Sequence, residues 1–421
     1  MKEINFIHAA DLHLGSPFRG LREVDENVSR YMVESTYRAF DSLVDQAIEK
    51  APDFVLFCGD LVDLEDKNLR PLLHLKRGFE RLGEASIRVF IVHGNHDPLS
   101  KISTLVSFPE NVTVFPSKVP DWLEFTTSKG AEVAIWGMSF KNKAERRNLA
   151  SLLPQGPNEP FKIAMLHCSV GTSANHEPYA QCTLQDLKSK DVDYWALGHI
   201  HQPQVISKGP HVVYSGNLQG RSFKEQGPRG CFWVEVDSSQ RVELNFCQIS
   251  KVLWLETEVD ISGCTGLDCL SERIFARLKE VLPSTGQKRV IARVILGGTW
   301  DISSDSMAHW DLEDVLTDLR QGLSWEADGV FVHEIRNLAR PPIDREERAR
   351  GEDLVAYVFR EASRLSLERD GTFEELTKVL EPLLKDRTFR RHCQAFDKGE
   401  LQELLEEAAV RLAYRLDEKQ P

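Results

Sequence analysis

Ile4-Asn5-Phe6-Ile7-His8-Ala9-Ala10-Asp11-Leu12-His13 opens the chain with an apolar run that breaks into a carboxylate and an imidazole two positions apart. A short apolar run followed at once by ligand-type side chains is the pattern of a buried strand that delivers a site at its carboxyl end. The arrangement returns four times. Phe54–Cys58 runs into Gly59-Asp60-Leu61-Val62-Asp63, and Val89–Val92 into Gly94-Asn95-His96-Asp97. Ile163–Leu166 runs into His167-Cys168, and Tyr194–Leu197 into Gly198-His199-Ile200-His201. Between the first two strands, Met32, Ala39, Phe40, Leu43, Val44, Ala47 and Ile48 fall on one helical face, the stripe that packs on a sheet. Further strands are predicted at Val133–Gly137, Val212–Tyr214 and Phe232–Val236. Strands alternating with amphipathic helices and polar loops predict an α/β fold for residues 1–250.

Past that point the texture changes. Leu253–Ile261, Val290–Leu296 and Val330–Ile335 read as strands, with helices at Leu267–Leu282 and Leu312–Leu323 between them. This predicts a small α+β unit over 251–340, closed by Pro341-Pro342, since adjacent prolines break both helix and ladder. Residues 341–421 read as helical: Thr372 with Glu375 fits a capping box, and Leu401, Leu404, Leu405, Ala408, Leu412 and Leu416 line one side of a final helix.

A chain of 421 residues with 41% hydrophobic and 28% charged side chains has the composition of a globular protein with a sizeable core. It contains no run near the ~18 apolar residues of a membrane span. Its first residues enter a strand without the apolar stretch of a secretory signal, so a cytoplasmic location is the default expectation. The eight cysteines, at 58, 168, 182, 231, 247, 264, 269 and 393, show no zinc-ligand spacing and read as thiols of a reducing compartment. A net charge of −13 argues against a broadly cationic nucleic-acid binder. Local basic loops and bound divalent ions can still attract phosphate.

The ligand types narrow the chemistry. Carboxylate, amide oxygen and imidazole without thiolate suit Mn, Fe or Zn in preference to copper or an iron–sulfur cluster. In extended backbone Asp11 and His13 would point to the same side, and His199 and His201 repeat that spacing. Two divalent ions ~3.5–4 Å apart need a bridging anion, for which Asp60 is apt. Glycine before Asp60, Asn95 and His199 allows a tight turn and, on this reading, close approach of a substrate.

With Asp11/His13, Asp60, Asn95-His96-Asp97, His167 and His199/His201 in this order, the chain resembles the calcineurin-like metallophosphoesterase superfamily. Ile7-His8-Ala9-Ala10-Asp11-Leu12-His13-Leu14-Gly15 and Tyr214-Ser215-Gly216-Asn217-Leu218-Gln219 are similar to its DNA-repair exonuclease branch, of the SbcD and YhaO kind. The resemblance implies a sandwich of two mixed sheets flanked by helices, then a capping domain and a helical tail. Two divalent ions follow from it, Mn2+ first with Fe2+, Zn2+ and Mg2+ as alternatives. Asp11, His13, Asp60 and His201 would hold one; Asp60, Asn95, His167 and His199 the other. His96 would protonate the leaving sugar oxygen, with Asp97 orienting its ring. DNA ends are the implied substrate, with an SbcC-type ATPase on the C-terminal region and a homodimer as candidate assemblies. One position departs from some relatives, which carry a histidine three after the bridging aspartate; here it is Asp63, for which structural and functional roles both stay open.

Other readings share the metal motifs. A phosphoprotein phosphatase would show GDxxDRG, whereas Asp63 is followed by Leu64-Glu65. A small-molecule (nucleotide) phosphodiesterase or phosphatase would need no residues beyond the sheets. A non-catalytic metal-binding scaffold in a repair complex would need no acid such as His96. For DNA phosphates the candidates are Arg221 first, then Arg19, with Arg22, Lys224, Arg229, Lys141, Lys143, Arg146 and Arg147 behind them. His8 and His93 are placed to hydrogen-bond a ligand, and His176 to meet substrate.

Overall fold

In the computed structural model the opening run forms β1 (Ile4–Ala9), joined by β2 (Phe54–Cys58), β3 (Arg88–Val92) and β4 (Val112–Val114). The structure describes residues 2–22, 24–63, 68–158, 160–171, 179–282, 289–300, 312–323, 325, 329–339, 345–364 and 372–385, and positions 401, 404, 405, 408–410 and 412. Pro341-Pro342, His176, His309, His392, Cys393 and Leu416 lie outside the described residues.

A second set follows: β5 (Leu123–Thr126), β6 (Glu132–Met138), β7 (Phe161–His167), β8 (Tyr194–Gly198), β9 (Gln204–Lys208) and β10 (His211–Tyr214). The chain then returns to the first set with β11 (Gly230–Val236) and β12 (Val242–Gln248). The sheets have the orders β12-β11-β1-β2-β3-β4 and β5-β6-β7-β8-β10-β9. Both are mixed, as expected. β1, β2, β3 and β4 run parallel while β11 and β12 pair antiparallel. β6, β7, β8 and β10 run parallel between antiparallel edges. Four strands escape a reading of the sequence: β4, β5, β9 and β12. β5 and β9 are largely exposed edges and β12 a half-exposed one, so none carries the continuous apolar run of a buried strand.

Period-two alternation explains the layers. In β2, Phe54, Leu56 and Cys58 enter the core between the sheets, while Val55 and Phe57 face the helices. Those helices follow a short α1 (Arg19–Arg22). They are α2 (Glu26–Lys50), capped by Asp25, and α3 (Arg70–Glu84). Met32, Ala39, Phe40, Leu43, Val44 and Ala47 of α2 are buried as the pattern requires, but Ile48 is exposed because it sits in the last turn beyond the sheet contact. Truncating Phe57, fully buried, would cost ~3–5 kcal/mol. α4 (Leu99–Ile102) packs with the helix-side core of the first sheet, while the outer face of the second sheet, with Trp136, Trp195 and Tyr214, is covered by the turn Leu149–Leu152 and by segments that include α5 (Leu184–Lys188).

Downstream come β13 (Leu253–Asp260), α6 (Leu267–Val281), β14 (Val290–Gly297), α7 (Leu312–Gly322) and β15 (Val330–Asn337), with the strands in a sheet of that order. Helices α8 (Arg345–Ala349), α9 (Leu354–Arg364) and α10 (Thr372–Lys385) follow. The backbone groups into two compact units. One is Met1–Glu256 with Val281–Arg293 and Leu323–His333; the other is Thr257–Glu280 with Val294–Gly322 and Glu334–Pro421. Among the described residues no helix is long and apolar enough to cross a membrane.

Candidate metal centre

All five motifs reach one place because parallel strands of both sheets end there. β1, β2 and β3 deliver Asp11, His13, Asp60, Asp63, Asn95 and His96, while β7 and β8 deliver His167, His199 and His201. The motif after β1 is stitched to the one after β2 by Asp11 N→Gly59 O, His13 N→Asp60 O and Leu14 N→Leu61 O, each 3.0 Å. Extended backbone does not aim these side chains, which corrects the expectation for Asp11 and His13. Asp11, His13, Asp60 and His199 all adopt left-handed backbone, with φ of 51°, 43°, 52° and 98°. Such conformations cost ~1–3 kcal/mol each in non-glycine residues and collect at functional sites.

Donor atoms converge in overlapping groups. Asp11, His13 and His201 form one, and Asp11, Asp60 and His167 another, each with ligand atoms within 4.8 Å of one another. His13 Nε2 lies 3.3 Å from His201 Nε2, and His167 Nε2 lies 3.1 Å from Asn95 Oδ1. Asp60 stands between the groups, its Oδ2 3.9 Å from His13 Nε2 and 3.3 Å from His167 Nε2. The other oxygen accepts from His96 N at 2.9 Å. His199 donates its backbone N–H to both oxygens of Asp11 at 3.1 Å and packs its ring edge-on to His167.

Each of the three converging imidazoles has its far nitrogen occupied. His13 Nδ1 donates a hydrogen bond to Asp63 Oδ1 at 2.9 Å, His201 Nδ1 to Glu225 Oε1 at 2.7 Å, and His167 Nδ1 to the Cys58 carbonyl at 3.0 Å. With Nδ1 engaged as a donor, Nε2 is the nitrogen that faces the shared space, which is how ligating histidines are oriented. This donor set fits two hard or borderline divalent ions.

Two glycines have a different purpose from the expected one. A Cβ on Gly94 would overlap Asp60 Oδ1 and crowd His167 Nε2, and one on Gly198 would overlap the Cys58 carbonyl oxygen. They make room for ligand side chains and backbone, not for a substrate.

His96 is about a third exposed, and its Nδ1 meets Asp63 Oδ1 at 2.7 Å, the same oxygen that holds His13. The expected orienter, Asp97, is elsewhere. Its oxygens accept from Asp60 N, Leu61 N and Gly94 N and from His93 Nδ1, at 2.8–3.2 Å. Asp97 therefore pins the loops carrying the site, and the pairing predicted for it belongs to Asp63. His93 bonds that strut instead of a ligand, and His8 ties the sheets by meeting Tyr194 Oη at 3.0 Å.

Arg221 reaches the site's edge. Its Nη1 is 3.9 Å from Asp63 Oδ2, its Nε 3.7 Å from Glu225 Oε1 and its Nη2 3.3 Å from His201 Nδ1. Arg229, also a candidate for DNA, is instead buried and donates to the carbonyls of His201, Glu225 and Gln226. Lys224 is exposed, and Arg147 pairs with Glu145 at 2.7 Å. The side chains of Arg19 and Arg22 lie outside the described residues. Glu225 was missed altogether, since a lone glutamate in a polar loop has no period or spacing to mark it.

Opposed pKa shifts crowd this cluster, as they do at functional sites. Burial raises the Asp11 carboxyl to about 6 against the pull of His201 and His167. Burial also pushes Asp60 and Asp63 up, but their histidine neighbours outweigh it and hold both well below the usual carboxylate range. His167 would be kept neutral by burial, yet Asp60 and Asp11 raise it to about 9. Burial lowers His201 despite Glu225, whereas Asp63 and Asp60 together raise His96 against its burial.

Comparison with known proteins agrees with this geometry. The chain is 33% identical over 423 residues to an uncharacterized metallophosphoesterase, YhaO, of Bacillus subtilis, with 99% of this chain and 98% of that one covered. It is 25% identical to the DNA double-strand break repair protein Mre11 of Sulfurisphaera tokodaii, covering 76% and 85% of the two chains. The Mre11 protein of Methanocaldococcus jannaschii is 28% identical, with 59% and 66% covered. Residues 4–203, which carry every converging donor up to His201, match the calcineurin-like phosphoesterase family, and the chain belongs to the metallophosphoesterases of that family.

Proposed function

We propose that the chain is a two-metal phosphodiesterase that cuts DNA at or near its ends. Family membership makes it a metal-dependent phosphoester hydrolase. The observation that carries the two-metal assignment is the set of His13, His167 and His201 Nε2 atoms aimed into one space beside Asp60, each with its Nδ1 donating elsewhere. Asp11, His13, Asp60 and His201 would hold one ion, and Asp60, Asn95, His167 and His199 the other. Bound there, two divalent ions supply a nucleophile from water at neutral pH and offset the charge on the phosphoryl oxygens.

This chain's own groups do the rest. Asp63 accepts a hydrogen bond from His96 Nδ1, leaving Nε2 to face the leaving oxygen, and its charge favours the protonated ring. Arg221 supplies a cation beside these groups for a phosphate oxygen. DNA is favoured as substrate by the Mre11 relatives, whose names mark them as DNA double-strand break repair proteins.

The test is purified protein with Mn2+ on end-labelled duplex, single-stranded DNA and a bis-phosphodiester reporter. DNA should be cut, with affinity falling steeply as salt rises. Arg221→Ala should flatten that dependence by about one unit of slope and weaken binding of DNA more than that of the reporter. Brisk hydrolysis of a free nucleotide with both DNAs uncut at low salt would remove DNA as the substrate and leave the phosphoesterase intact.

A further inference from the structure

Glu225 lies in the loop between β10 and β11, where its carboxylate is bonded at both oxygens. Oε1 accepts from His201 Nδ1 at 2.7 Å; Oε2 accepts from Asn217 Nδ2 at 2.7 Å and from Arg221 N at 2.8 Å. We propose that Glu225 is a positioning residue that locks His201 in its ligating tautomer and, through the same carboxylate, sets the Arg221 guanidinium beside the centre. Ion binding on the His13/His201 side and phosphate binding by Arg221 then depend on one group. This rests on the assignment of His201 as a ligand and Arg221 as a phosphate contact made above.

An ionised carboxylate only accepts, so its partner nitrogen on His201 must carry the proton. That leaves His201 Nε2 unprotonated, 3.3 Å from His13 Nε2. The Arg221 cation, with Nη2 3.3 Å from His201 Nδ1, would otherwise disfavour a proton on that nitrogen; Glu225 satisfies both. Asp63 cannot substitute, because its Oδ1 already serves His13 and His96 and its Oδ2 stands 3.9 Å from Arg221, beyond hydrogen-bond reach.

The loop is held firmly enough for such a role. Arg229 clamps the carbonyls of His201, Glu225 and Gln226 from beneath. Phe223, between Arg221 and Glu225, packs edge-on to Trp254, whose Nε1 donates to the Gly220 carbonyl at 2.8 Å. Arg293 stacks over the other component of the pair, 3.9 Å from the Phe223 ring centre.

Glu225→Gln separates the two jobs of the carboxylate, because an amide can keep one acceptor toward Asn217 and Arg221 but must face His201 with a donor. The ring would then flip its proton to Nε2. Calorimetric titration of the full chain with Mn2+ alone should show one of two sites weakened ~10–100-fold in Glu225→Gln and neither weakened in Arg221→Ala. In the Mn2+-loaded protein, both variants should weaken inorganic phosphate binding, and the double variant should be no weaker than the worse single one. Two sites of wild-type affinity in Glu225→Gln, or phosphate losses that multiply in the double variant, would overturn the proposal. If the variant does not fold, nitrogen-15 histidine spectra of the unmutated protein decide, with His201 assigned by loss of its signals in His201→Asn. A proton on Nδ1 supports the lock, and one on Nε2 refutes it. Wild-type protein that binds no Mn2+ would instead bring down the underlying metal assignment.

Discussion

On one side of the centre His167 Nδ1 donates a hydrogen bond to a backbone carbonyl, that of Cys58, while on the other the Nδ1 atoms of His13 and His201 donate to the carboxylates of Asp63 and Glu225. A carbonyl directs a ring without bringing charge and cannot titrate. A carboxylate adds negative charge, makes the ligand more basic, and can hold a second functional group at once. That second group is His96 for Asp63 and Arg221 for Glu225. The fully buried His167 side is thus built from backbone and missing Cβ atoms, whereas the other side is built from side chains that also hold His96 and Arg221.

The largest effect should come from breaking the backbone side. Gly198→Ala drives a methyl into the Cys58 carbonyl and against the His167 ring, so strand β8 must shift. A loss of at least ~3 kcal/mol in urea unfolding is expected, at the upper end for overpacking in a buried site. Unchanged stability would mean the close approach of β8 to Cys58 is not what holds His167.

Asp60→Asn should affect both sides together, because its Oδ2 lies between His13 and His167. Metal analysis should find both ions lost or weakened; two ions at wild-type affinity would rule out a bridging role.

His96→Asn should keep both ions and lose ~10²-fold in rate, the scale of a general acid. Asp63→Asn should reproduce that loss and also weaken ion binding on the His13 side, since one oxygen serves both rings. Loss of metal in His96→Asn would make His96 a ligand and dissolve the distinction.

The smallest effect is on pH. His167, raised to about 9, is protonated below that value and must release a proton to bind an ion, whereas burial already holds His201 below the ordinary histidine range. Affinity on the His167 side should therefore rise roughly tenfold per pH unit up to about 9, with proton release seen as a buffer-dependent heat of Mn2+ binding. Equal proton release at both sites would erase this difference.

Much of the architecture is legible in the residues. β1 and β2 have their predicted limits, and all five motif loops sit where their strands end. The edge strands were not legible, because exposed faces dilute the apolar period, whereas α3 carries a clear helical stripe in Leu72, Leu75, Phe79 and Leu82. The Asp97 expectation failed for a different reason. A carboxylate next to a histidine in sequence is read as its partner, but the loop turns it toward the amides of residues 60, 61 and 94.

Sequence alone determined the α/β class, the order of the metal-type motifs and the candidate donors, because hydrophobic period and side-chain chemistry are local properties, and the family resemblance added the two sheets. Only the tertiary structure decided which carboxylate serves which ring. His13 and Asp63 are 50 positions apart, and His201 and Glu225 are 24. Hydrogen-bond partners at such distances are chosen by how strand ends and loops are brought together, and the left-handed turns at Asp11, His13, Asp60 and His199 are favoured by residue type but not dictated by it.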